Sequence, residues 1–326
     1  MNTGNHGNYK TMQRRDFISQ TLIGTAGLTL AGNPFPVFAG DTQNSRQFTV
    51  FTKCLQFLGY DELGEVLADA GFNGADAPVR PGGQVLPENV KKDLPLMIRS
   101  LKKSGIQMPL ITTAILNPSE RYAEDILATA SEAGVKYYRM GWIPYDDKKS
   151  IPENLDEMRR IFEQFEKLNR KYKIRGEYQN HAGRRLGGPV WDLHHLLKDI
   201  DPEYIGVQYD VRHATAEGGS SWVLGMRLVG PWIGTTDIKD FIWAKDAKGV
   251  WRPKTVPLGE GMVDFETYFT EFRKLNNSHP VSVHYEYDLG GAESGSLNPT
   301  MPLKDIKYWL KKDLEWLKQR FSMFEI

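Results

Sequence analysis

The sequence predicts one (β/α)8 barrel spanning 40–326. Strand-like and helix-like segments alternate eight times from Arg46 onward, their connections are short, and a single such barrel takes about 250–300 residues. A strand near 47–53 precedes helix 60–71, strand 74–79 precedes helix 88–104, strand 107–113 precedes helix 119–133, and strand 135–141 precedes helix 153–172. The second half continues with strand 173–179 and a short helix near 190–198, strand 204–210 and helix 220–229, strand 232–238 and helix 264–276, and strand 281–286 and helix 303–319. Gly71, Gly105 and Gly134 each follow a helical run, where a residue tolerant of left-handed backbone ends the helix. An open doubly wound sheet is disfavoured because no Gly-x-Gly-x-x-Gly follows the first strand. Two insertions break the rhythm, Phe241–Met262 and Gly290–Met301, and each reads either as a wall over the barrel mouth or as an exposed hairpin or interface.

Side chains able to move protons or bind metal gather at four strand ends. These are Gly176-Glu177-Tyr178-Gln179-Asn180-His181, Gln208-Tyr209-Asp210-Val211-Arg212-His213, Thr236-Asp237-Ile238-Lys239-Asp240 and His284-Tyr285-Glu286-Tyr287-Asp288. Residues two apart on a strand share a face, so Glu177 lies with Gln179, Asp237 with Lys239, and His284 with Glu286. In a parallel barrel these ends converge on one mouth, and clustered buried acids are costly without a cation between them. Lys53 and Arg80 end the first two strands, and Lys254 precedes Pro257-Leu258-Gly259-Glu260-Gly261; all three are candidate substrate contacts. Trp142, and with it Trp243, is a candidate platform for a sugar ring, although packing at the rim is the plainer role. The adjacent His194 and His195 cannot face one ion together from a helix.

With 41 basic and 41 acidic residues and 40% hydrophobic content, the chain has a globular composition, and no basic face points to nucleic acid. The first 39 residues differ. Arg14-Arg15-Asp16-Phe17 precedes a modestly apolar run, Thr21–Leu30, and Val37-Phe38-Ala39 follows as a small-residue cleavage site. This resembles a twin-arginine signal, with Met12 an alternative start, and it predicts an exported, periplasmic protein with no stable membrane insertion after processing. Removing residues 1–39 would leave a formal charge of −2. Cys54 is alone, so it has no disulfide partner and reads as a packed small hydrophobe.

Phe51-Thr52-Lys53, Ala70-Gly71-Phe72-Asn73-Gly74, Val79-Arg80-Pro81-Gly82-Gly83, Asn180-His181-Ala182-Gly183, Asp210-Val211-Arg212-His213-Ala214, Asp237-Ile238-Lys239-Asp240, Pro257–Gly261 and Glu286 follow one another in an order and spacing that resemble the xylose-isomerase-like TIM-barrel superfamily over about 46–320. The resemblance implies a small carbohydrate substrate and a divalent metal held at Gln179, Asp210, Asp237 and Glu286. Gln179 and Asp237 stand where the family has Glu and His, which predicts manganese or magnesium rather than zinc. The implied chemistry is proton abstraction beside a sugar carbonyl, as isomerase or epimerase. Glu286 would act as base, Glu177, His181 or His213 as its partner, and Lys239 would assist by charge. Because Gln179 cannot titrate, β-elimination from a 3-keto-glycoside is the alternative, and a silent sugar-binding barrel is the rival from outside enzymology. Self-association is left open. The endonuclease branch of the superfamily is disfavoured because Ala77 and Thr112-Thr113 stand where it needs further zinc ligands.

Overall fold

The computed structural model describes residues 46–326, so the expected signal over 1–39 lies outside the described residues. Eight parallel strands close into a barrel: β1 (Phe48–Phe51), β2 (Gly74–Pro78), β3 (Gln107–Thr112), β4 (Tyr137–Arg139), β5 (Arg175–Gln179), β6 (Ile205–Asp210), β7 (Ile233–Ile238) and β10 (Val281–Val283). β10 pairs with β1 in the register Phe48 to Val281, which closes the ring. The outer layer is α1 (Tyr60–Ala70), α2 (Val90–Lys103), α3 (Ala123–Glu132), α4 (Ile151–Tyr172), α5 (Trp191–Leu197), α6 (Val211–Gly218), α7 (Trp222–Val229), α8 (Phe265–Leu275) and α9 (Leu303–Met323).

Alternation along the strands divides the two sides of the barrel wall. Tyr138 and Tyr178 face outward: the Tyr138 hydroxyl donates to Asn169 Oδ1 of α4 at 2.8 Å, and the Tyr178 ring packs on Phe162 of α4. The core therefore lies between strands and helices, where buried Leu, Ile, Val and aromatic side chains form one cluster. The inward faces are polar, with Asp76, Thr112, Arg139, Glu177, Gln179, Gln208, Asp210, Asp237, Ser282 and His284 all buried. A buried polar interior is stable only where its members satisfy one another. Gly206 and Gly234 make this possible low in the barrel, since a side chain at either would collide with Arg175 or Glu177.

Both insertions are ordered. The first is a hairpin of β8 (Asp240–Lys245) and β9 (Trp251–Val256), with Trp243, Trp251 and Lys254 exposed, so the hairpin reading holds. The second folds back over the turn that follows β1, where Gln56 Nε2 donates to Gly295 O at 2.7 Å. One helix departs from the expected order: α6 starts directly at the end of β6 because Asp210 Oδ1 caps it by accepting from His213 N at 3.1 Å. Cys54 is buried and free, as expected. Among the described residues, no helix is long and apolar enough to cross a membrane.

Candidate active site

Every strand end singled out in the sequence arrives at the C-terminal mouth of the barrel, but the groups divide into two layers. Asp210 ends β6, Asp237 lies next to the end of β7, and Lys239 and Glu286 sit just beyond β7 and β10. The Lys239 side chain is 1% exposed, and its Nζ lies 2.8 Å from Asp210 Oδ2, 3.3 Å from Glu286 Oε2 and 3.1 Å from His213 Nε2. Burial works against the charge on Lys239, yet Asp210 and Glu286 hold its pKa above the ordinary lysine value. Burial would also raise the Glu286 carboxyl, but Lys239, His284 and Lys53 hold it well below the usual range, with Lys53 Nζ at 3.8 Å. Glu286 keeps 27% of its side chain exposed, which makes it the acid of this cluster open to a substrate.

Gln179 organises the floor. Its Nε2 donates to Asp210 Oδ2 at 2.9 Å and to Asp237 Oδ2, while its Oε1 accepts from Arg139 Nη1 at 3.1 Å and from Trp142 Nε1 at 3.2 Å. Both ends of the amide are thereby committed, and its orientation follows from its neighbours. His284 Nε2 lies 3.1 Å from Asp237 Oδ1; despite burial, Asp237 raises the His284 pKa and favours the imidazolium. Arg139, Asp76 and His284 complete the floor; His284 was expected beside Glu286, whereas Arg139 and Asp76 were not among the expected site residues. Asp76 Oδ1 accepts from Thr112 Oγ1 at 2.8 Å, and burial pushes its carboxyl up to about 6. Two-residue alternation carries the signal for Arg139 and Asp76: the inward residues are Asp76 rather than Ala77 on β2, and Arg139 on β4.

The histidines form a wall. The His181 ring lies 4.2 Å from that of Trp142 and 3.8 Å from that of His213. His181 Nδ1 is 2.8 Å from the Ala182 carbonyl, so it carries the proton and leaves Nε2 as a lone pair; burial, with Lys239 next, lowers its pKa to about 3. His213 is wedged between Lys239 and Arg212, whose Nη1 is 2.9 Å from Nδ1, and burial together with these cations keeps it neutral.

Two expectations are revised. Glu177 is not at the mouth: it is fully buried on β5, 2.9 Å from Arg175 Nε, so it forms a structural ion pair and cannot reach a substrate. Lys254 is exposed on the hairpin next to Pro253, whose carbonyl accepts from Arg212 Nη2 at 3.3 Å, and it stays a candidate substrate contact. Gln179, Asp210, Asp237 and Glu286, as folded, do not fit a divalent ion, because an amide NH2 group and an ammonium occupy the faces from which the carboxylates would bind it. Among the described residues, no group of three or more His, Cys, Asp or Glu is arranged to hold a metal. Lys53 and Arg80 do flank the mouth, both within 6 Å of the Phe51 ring centre, at 5.7 and 5.3 Å.

The architecture recurs in solved structures of low sequence identity, a likeness that shows the fold alone. D-psicose 3-epimerase from Clostridium cellulolyticum H10, solved with D-tagatose, is 12% identical with a TM-score of 0.62, covering 84% of this chain and 98% of that one. The probable 3-DHS dehydratase AsbF of Bacillus anthracis is 16% identical with a TM-score of 0.60, covering 83% and 98%. The IOLI protein with a bound zinc atom is 13% identical with a TM-score of 0.65, covering 85% and 99%. No curated protein matches the chain at the sequence level. A family model described as xylose isomerase-like TIM barrel matches residues 65–320, most of the chain and nearly all of the barrel; the chain belongs to that family.

Proposed function

We propose that this barrel acts on a small carbohydrate or similar hydroxylated carbonyl compound, removing a proton from the carbon beside the carbonyl and passing through an enolate, as an isomerase or epimerase. The observation that carries the reading is the pairing of Glu286, the partly exposed carboxylate at the mouth, with the buried ammonium of Lys239 at 3.3 Å. Glu286 takes the proton. The electron pair moves onto the carbonyl oxygen, where the fixed positive charges of Lys239 and Arg139 lower the energy of the developing anion. The enolate oxygen gains a proton, the adjacent hydroxyl loses one to become the new carbonyl, and returning the abstracted proton to the former carbonyl carbon completes an isomerisation. Trp142 supplies a platform for the sugar face with the His181 ring tilted beside it, and Lys53 and Arg80 are placed to contact hydroxyl or carboxylate oxygens.

A second reading is favoured by Gln179. Its amide neither titrates nor has a free donor or acceptor, so no carboxylate faces Glu286 across the site to return a proton to the opposite face. The enolate can instead expel a β-substituent: the C–O bond breaks, the leaving oxygen takes a proton, and a 3-keto-glycoside becomes an unsaturated ketone and a free alcohol. Structures of epimerases and of a probable dehydratase on this fold are in keeping with both outcomes.

Proton NMR in heavy water against aldoses, ketoses and 3-keto-glycosides tests the reading. The wild type should exchange or eliminate at the carbon beside the carbonyl, and Glu286→Gln should lose about 10²-fold or more in rate. Binding of sugars without exchange on any of these compounds would make the barrel a silent binder and sink the proposal.

A further inference from the structure

We infer that the Lys239 ammonium is the resident cation of this site and takes the place of a divalent ion. An ammonium has three N–H bonds, and two carboxylate oxygens accept around Nζ, Asp210 Oδ2 at 2.8 Å and Glu286 Oε2 at 3.3 Å; His213 Nε2 is 3.1 Å away, but with Arg212 Nη1 donating to Nδ1 at 2.9 Å the neutral ring carries its proton on Nε2 and is a neighbour rather than an acceptor. Two carboxylates are hard oxygen donors of the kind that also suit a small divalent ion. Here the chain delivers the charge itself, from just past the end of β7, to acceptors on β6 and on the segment after β10. The Lys239 side chain is almost fully buried, so these acceptors replace its hydration shell.

The remaining groups close the site to a second cation. Gln179 aims both hydrogens of its amide nitrogen at Asp210 and Asp237, so an ion lodged between those acids would meet N–H groups rather than lone pairs. The carbonyl of Gln179 is occupied by Arg139 and Trp142, and the other oxygen of Asp237 faces His284. Gln179 stands where the resemblance implies Glu, which removes a negative charge, and Lys239 supplies a positive one beside Asp210 and Glu286; both lower the demand for a metal. The consequence is a site whose electrophile is permanent and needs no loading.

This inference concerns the site of the proposed reaction, and its test reads metal rather than turnover, so failure to find a substrate would not affect it. The full chain is purified without added metal, analysed for bound transition metals and titrated with Mn(II), followed by electron paramagnetic resonance and by melting temperature. The wild type should carry only trace metal, and roughly millimolar Mn(II) should leave its melting temperature unchanged, because a ligand stabilises only a fold that binds it. The double variant Lys239→Ala, Gln179→Glu removes the ammonium and restores a carboxylate. It should bind Mn(II) at least about 100-fold more tightly than wild type and melt at higher temperature when the ion is present. A stoichiometric metal in the wild type, or a wild-type melting temperature that rises with Mn(II) or Zn(II), would overturn the inference whether or not the double variant folds. A folded double variant that takes up no Mn(II) would also overturn it, by showing that the acceptors around Nζ do not form a cation shell.

Discussion

At the scale of the residue, the site depends on which carboxylates have cationic partners and which remain open. Glu177 and Glu286 both lie at strand ends in the sequence, yet one is sealed against Arg175 and the other borders the mouth. Glu177→Gln should therefore act on stability. It leaves the partly buried Arg175 guanidinium without its anion, a loss of the order of 3 kcal/mol, while the rate per folded molecule stays near wild type. Thermal melting and active-site-normalised exchange rates separate the two effects, and a large fall in rate with unchanged melting would return Glu177 to the catalytic set. Alternation gives the inward face of Glu177, but depth along the barrel axis is not encoded in that pattern. Depth was decided by Gly206 and Gly234, whose missing side chains open room low in the barrel for the Arg175–Glu177 pair. Lys239 was legible as an inward neighbour of Asp237. That its ammonium would lie against Asp210, His213 and Glu286 was not, because that cluster joins three separate segments.

At the scale of the element, the run Asp237-Ile238-Lys239-Asp240 performs two tasks. Its inward residues serve the site, while Asp240, turned the other way, organises the loop that follows the hairpin: its carboxylate accepts from Phe241 N at 2.8 Å, Gly259 N at 3.1 Å, Gly261 N at 2.8 Å and Val263 N at 3.1 Å. This explains the glycines of Pro257–Gly261, since Gly259 takes a positive φ of 82° and a side chain on Gly261 would collide with Asp240. Asp240→Ala should leave these donors unpaired and cost about 2 kcal/mol. The check is a lower melting temperature together with faster hydrogen exchange confined to 257–263, and unchanged exchange there would remove the organising role. The alternation of strands and helices was readable because period-2 and period-3.6 patterns differ over whole elements. The missed α6 is short and shares its first turn with the strand end that Asp210 caps, so no turn signal separates the two.

At the scale of the whole molecule, a closed parallel ring buries its backbone polar groups and gathers the strand ends at one mouth, which is why eight weak local signals became a strong global one. The barrel interior is unusually polar, and the network running from Asp76 through His284 and Asp237 to Gln179 ties β2, β5 and β7 to the segment after β10. Outside the described residues, Arg14 and Arg15 carry the proposal that the chain is exported. The Arg14→Lys, Arg15→Lys double variant should accumulate unprocessed in the cytoplasm, and normal processing in a fractionation experiment would remove the twin-arginine assignment. In the proposed mechanism Glu286 moves a proton beside a charge supplied by Lys239. The direct measurement is deuterium incorporation beside the substrate carbonyl by the wild type in heavy water after exhaustive chelation. Exchange should run at the full rate with chelator present and be lost in Glu286→Gln; exchange that vanishes on chelation and returns with Mn(II) would rule the mechanism out.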